Sequence, residues 1–243
     1  LTIDTRNEIS FAGNPKINNL IVLNANGVTF KESVTINNVN DEHYSNYFNF
    51  HGAHFKKVDE NDSSNIEFKT SGTVTFGSNE NSTTSFEKDL TNTVGTTVIN
   101  GTFSADVNNI RLGETKINGS VIAENAEFGD TTINGIAKIT GNIKSSKVII
   151  SNNGTLEISE NLENVNSITV NGTLISNIGS DFTIGNKFVS DSKGTIQTIN
   201  ENSKVIVDTD FIGPINYDCK GNLIINEEKN VVSGTVKANT FTN

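Results

Sequence analysis

The chain repeats itself at short range. An aliphatic residue, Asn-Gly, then a small or aliphatic residue recurs at Ile99-Asn100-Gly101-Thr102, Ile117-Asn118-Gly119-Ser120, Ile133-Asn134-Gly135-Ile136 and Val170-Asn171-Gly172-Thr173, with Asn153-Gly154-Thr155 between the last two. Successive asparagines lie 18, 16, 19 and 18 residues apart. That period suits one coil of a solenoid and is far below the roughly 40-residue blade of a propeller. Gly194-Thr195 and Gly234-Thr235 continue the pattern in weaker form. Ahead of residue 96 the period loosens, although Asn26-Gly27-Val28-Thr29-Phe30 and Gly72-Thr73-Val74-Thr75-Phe76 keep its flavour.

Composition says what lies between the turns. The 243 residues include 39 Asn, 28 Thr and 20 Gly against 2 Pro, with no Met or Trp. Asn and Gly punctuate turns, whereas Val, Ile, Thr and Phe favour strands, so the chain avoids helix and reads as all-β. Residues 203–211 alternate, with Val205, Val207, Thr209 and Phe211 on one face and Ile206, Asp208 and Asp210 on the other. Asn-Gly connections also suit β-hairpins. A hairpin meander, however, needs a matching strand on both sides of every turn, and here one Asn-Gly recurs per roughly 18 residues. The spacing therefore predicts a parallel β-solenoid with a narrow core of stacked Ile, Val, Leu and Phe. Asn would sit at corners, where left-handed backbone is tolerated and side-chain amides ladder between coils. With about 20 residues per coil, 1–243 forms a single domain of roughly 12 coils, a short rod on the order of 60 Å long.

Several function classes fall away. No apolar run approaches the roughly 18 residues of a membrane-spanning helix, so no membrane insertion by this segment is expected. A net charge of -10 with scattered basic residues argues against nucleic acid. The single cysteine, Cys219, makes no internal disulfide, and no Cys/His set has zinc-finger spacing. The chain opens on Leu1 with no signal sequence before it and reads as an excised piece of something larger.

The run of Asn-Gly-Thr, Ile-Asn-Gly and Gly-Asn units from about Asn92 to Thr198 resembles the passenger domains of autotransporter proteins, in particular the Asn- and Thr-rich surface cell antigens of rickettsia-type bacteria. The resemblance covers about half the chain and is mostly compositional. It implies a right-handed β-helix threaded outward through an outer-membrane barrel, which would lie outside this chain. It further implies display on the bacterial cell surface as an adhesin toward a host-cell surface protein.

Residues 40–62 break the rhythm and hold all three histidines and two of the three tyrosines. They read as an inserted, aromatic-rich loop, and aromatic side chains on loops make good contact surface. Tyr44, Tyr47, Phe48 and Phe50, with His51 and His54 beside them, are the candidate partner-binding residues. The alternative is that these aromatics close the solenoid end or pack a flank. His51 and His54, with His43, Asp41 or Asp59, invite a zinc reading, but His at i and i+3 across a Gly is no helix-face pair. No metal or cofactor is expected. Asp208 and Asp210 would serve a glycan-processing β-helix, being about 7 Å apart on one strand face. Outward acids on a solenoid wall are ordinary solvated surface, so no catalysis is expected. Sequons such as Asn81-Ser-Thr83 follow the repeat and read as turns first. Open end coils leave end-to-end self-association, as a stalk or filament, as the rival to adhesion.

Overall fold

The computed structural model describes residues 1–41, 46–160, 162, 164–185, 188–208, 215–225 and 234–242. Among these there is no helix; they form a parallel β-solenoid of about 11 turns. By internal contacts the chain resolves into two compact units, Leu1–Asp130 and Thr131–Asn243, where the sequence reading took one domain.

In the first unit, residues one coil apart lie side by side in parallel ladders. Glu8 pairs with Gly27, Val28 with Phe48 and Tyr47 with Thr73. Side chains on a strand alternate between faces, so in-register stacking repeats the inward set from coil to coil. Part of the inward set here is Phe. Phe30, Phe50 and Phe76 stack with ring centroids 5.3 and 5.6 Å apart, and Phe55 stacks on Phe86 at 4.5 Å. Pairs of this kind add about 0.5–1.5 kcal/mol each beyond the area they bury.

In the second unit a column on the strands that follow the turns is aliphatic. Ala137, Leu156, Leu174 and Ile196 follow one another, and Tyr217 comes next. A second wall is built from Asp181–Ile184, Lys204–Val207, Asn222–Ile225 and Thr240–Thr242. Val205 and Val207 face inward as the alternation predicts, whereas Thr209, Asp210 and Phe211 lie outside the described residues.

The Asn-Gly turns earn their glycine through proximity rather than backbone freedom. A Cβ on Gly119 would stand 2.2 Å from the Gly101 carbonyl oxygen, and one on Gly172 would stand 2.2 Å from that of Ser151. The coils approach too closely there for any side chain. The predicted amide ladders are present: Asn118 donates to Asn100 at 2.9 Å, Asn38 to Asn19 at 3.0 Å and Asn46 to Asn26 at 2.7 Å.

Coil length is less even than the repeat suggested, which is why the count falls below 12. Thr155 pairs with Thr173 after 18 residues, whereas His54 meets Ser85 after 31. The long coil carries the insertion, at a different place from the one expected. Tyr47–Phe55 is a regular strand, paired to Gly27–Asp41 on one side and to Thr73–Phe76 and Thr83–Phe86 on the other. The excursion follows it. Ile36 and Phe86 both pair with Phe55, and the wall resumes where Leu90 pairs with Ile66. Residues 56–65 therefore leave the wall and return.

Candidate functional site

Strand Tyr47–Phe55 carries five of the six candidate contact residues; Tyr44 lies outside the described residues, as does His43. Phe48 and Phe50 are 0% and 1% exposed and point into the core, so their rings present no surface to a partner. Parity explains this correction. Phe48 and Phe50 stand two residues apart on the face that Val28 and Phe30 occupy one coil earlier. The outward face holds Tyr47, Asn49 and His51, each half-buried. Gly52 and Ala53 are both buried, and this pair shifts the phase so that His54 also faces out, three residues after His51. The matching irregularity in the neighbouring coil falls between Phe30 and Ser33.

Tyr47 is held by its neighbours. Its ring covers Gly27, where a Cβ would come within 2.0 Å of the ring Cζ. The phenol hydrogen-bonds with Glu8 and Thr29; desolvation, then the Glu8 carboxylate, push its pKa above the ordinary 10.0. Asn49 donates to Thr29 at 3.4 Å, and His54 Nδ1 lies 2.7 Å from Ser85 Oγ. Tyr47, Asn49 and His54 are thus each tied to a neighbouring coil, and His51 stands beside them on the same face.

Next to this row, loop 56–65 is folded by its own acids. Asp59 accepts from the Asn61 N–H at 2.9 Å, and Asp62 accepts from the N–H groups of Val58 and Ser64 at 2.9 and 3.1 Å. Turns of this kind are what Asp side chains make when they capture backbone two residues on. Val58 is 63% exposed on the loop.

Beneath the loop lies a feature that the sequence reading missed. Lys88 is 2% exposed and takes an inward position between Phe86 and Leu90. Its Nζ donates to the Asn37 carbonyl at 2.7 Å, to Asn38 Oδ1 at 2.8 Å and to Ser64 Oγ at 2.9 Å, and stands 2.6 Å from Asp62 Oδ2. Where the loop leaves the wall, this lysine fills the gap. Hydrogen bonding from Lys88, then from Ser64 and the loop backbone, holds the Asp62 carboxyl well below the usual carboxylate range. The signal was available: a lysine in register with Phe86 and Leu90 has an inward side chain, and a buried ammonium needs partners.

Among the described residues no group of three or more His, Cys, Asp or Glu could hold a metal ion. Asp208 is exposed at the end of its strand, and its candidate partner Asp210 lies outside the described residues. No helix among the described residues is long and apolar enough to cross a membrane. No protein-family model, no curated protein and no solved structure matches the chain.

Proposed function

We propose that this chain is an adhesin segment of an autotransporter-type passenger, displayed on a bacterial surface and contacting a host-cell surface protein without catalysis. A barrel outside this chain would tether it. The observation that carries the reading is the outward row Tyr47, Asn49, His51 and His54, half-buried on a strand paired to both sides and flanked by a pinned loop bearing exposed Val58. Rings and amides held in place bury contact area at little entropic cost, which favours a protein partner. The phenylalanines expected in that surface serve instead as the scaffold that fixes it.

Binding of the purified chain to intact mammalian cells, before and after protease treatment of the cell surface, tests the reading. Saturable binding, lost after protease, is the expected result. Changing Tyr47, His51 and His54 together to Ala should weaken it at least tenfold with the fold intact. Binding unchanged by the triple substitution would move the contact surface elsewhere, and no binding to untreated cells would remove the adhesin reading.

A further inference from the structure

The polar cluster under loop 56–65 brings together an amine, a carboxamide and a carboxylate. The Lys88 side chain is 0% exposed, and Asn38 Oδ1 lies 2.8 Å from its Nζ. The carboxamide carbon is one C=O bond, about 1.23 Å, beyond that oxygen. Rotation about the Asn38 Cβ–Cγ bond leaves this carbon in place but would present the face of the carboxamide to the amine, at the cost of the hydrogen bond between the Asn38 and Asn19 amides. Asp62 Oδ2 stands 2.6 Å from the same Nζ, with only 12% of its side chain exposed. Ser64 Oγ lies 3.2 Å from Asn38 Oδ1 and 2.6 Å from Asp62 Oδ1, joining the two groups.

We infer that Lys88 and Asn38 join in an intramolecular amide cross-link, with Asp62 as the catalytic proton carrier. The Lys88 ammonium gives a proton to Asp62, and the freed Nζ lone pair attacks Asn38 Cγ. A tetrahedral intermediate forms, with its oxyanion beside the Ser64 hydroxyl. Asp62 then gives that proton to Nδ2, the Cγ–Nδ2 bond breaks to release ammonia, and the surplus Nζ proton passes through Asp62 to the ammonia, which leaves as ammonium. One Nζ–Cγ amide replaces one primary amide, no oxidant is consumed, and Asp62 ends as it began. Three physical conditions favour the step. The Lys88 side chain is fully buried, which keeps bulk water off the amine. Packing holds the reactants at contact distance, which turns a bimolecular condensation into a local one. The Ser64 hydroxyl stands where charge develops on oxygen.

The product would tie residue 38 to residue 88 across the place where the wall is interrupted. This inference is independent of the adhesin reading, since it concerns the scaffold and not its partner.

Intact mass of the full chain in denaturant is the test. The expected mass is below the sequence mass by one ammonia, and proteolysis should yield a branched peptide joining Asn38 to Lys88. Lys88→Arg, which keeps a cation in the gap, and Asp62→Asn should both restore the full sequence mass while remaining folded by circular dichroism. Asn-Gly sites can also lose ammonia as succinimides, but hydroxylamine cleaves those and leaves an amide intact. The folded chain at full sequence mass after prolonged incubation, or an ammonia loss that maps to Asn-Gly and yields to hydroxylamine, would overturn the cross-link. Ammonia loss persisting in Asp62→Asn would overturn the role of Asp62.

Discussion

The two units obey one rule and fill it differently. Ten of the 14 phenylalanines precede residue 131, and in the first unit their rings stack coil on coil. In the second unit, Leu156, Leu174 and Ile196 run up the same kind of column. Rings accompany irregularity. The first unit includes the 31-residue coil, the excursion at 56–65 and the lysine that fills the break, whereas Thr155 meets Thr173 after only 18. A wall with a gap has fewer ladder bonds to locate its coils, so large side chains that interlock with their neighbours carry more of the order. Where the period is even, branched aliphatic side chains suffice.

The largest effect that would break this comparison is loss of a ring. Phe50 touches Phe30, Phe55, Phe68 and Phe76, so Phe50→Ala should cost about 3–5 kcal/mol and open the first unit selectively. Leu174→Ala should cost about 2–5 kcal/mol, with the opening confined to the second unit, because stacked repeats couple chiefly to their neighbours. Hydrogen exchange read by peptide distinguishes the two. Equal opening of both units by either substitution would mean that the columns act as one cooperative core and that the aromatic content of the first is incidental.

Much of the fold was legible because the strongest signal, a period near 18 with one Asn-Gly per coil, belongs to the backbone. Parallel stacking follows from that period, and the amide ladders follow from stacking. The candidate site was less legible for two reasons. Composition marks 40–62 as one cluster, although alternation along Tyr47–Phe55 separates Phe48 and Phe50 from Tyr47 and His51. The Lys88 cluster joins residues 24 to 51 positions apart, and no local pattern reports which coil a side chain will reach. Only the parity of Lys88 with Phe86 and Leu90 hinted at it.

Proton linkage gives a middle-sized effect with opposite signs at the two ends. Asp62 is depressed below its ordinary 3.8, so its contribution is fully present above that value and is lost as pH falls below it. Loop 56–65 should therefore lose exchange protection, measured against the intrinsic rate, as pH falls below 3.8 in the ion-paired form. Once an amide forms at Lys88 that charge is gone and the acid response shrinks, so the response itself reports which form is present. In the second unit, burial, reinforced by Asp218 and opposed by a Thr198 hydrogen bond, pushes the Cys219 thiol from 9.0 up to about 11. A raised thiol stabilises the folded state below 9.0, and that contribution is lost as pH rises through about 11. Buried Tyr217 is raised too and acts in the same direction at still higher pH. Alkylation of Cys219 should thus stay slow at pH 8 and accelerate in the alkaline window with opening of the second unit. Rapid labelling at pH 8 would mean that the second column is loosely packed.

The smallest effect sharpens the comparison at the turns themselves. Asn118 and Asn171 occupy equivalent places in the repeat but do different work. Asn118 donates to the Asn100 side chain on an exposed ladder, whereas Asn171 Oδ1 accepts from the backbone N–H groups of Asp191 and Ser192 at 2.9 and 3.1 Å. Asn118 is exposed, so water can replace what its amide gives up, and Asn118→Ala should change stability by no more than about 0.5 kcal/mol. Asn171→Ala strips two backbone donors of one acceptor and should cost about 1 kcal/mol. Paired urea titrations measure the difference. If the two substitutions cost the same, the Asn-Gly repeat stabilises every coil in one way, and the units differ only in what fills their cores. If Asn171→Ala costs more, the second unit relies on its turns for the order that the first draws from its rings.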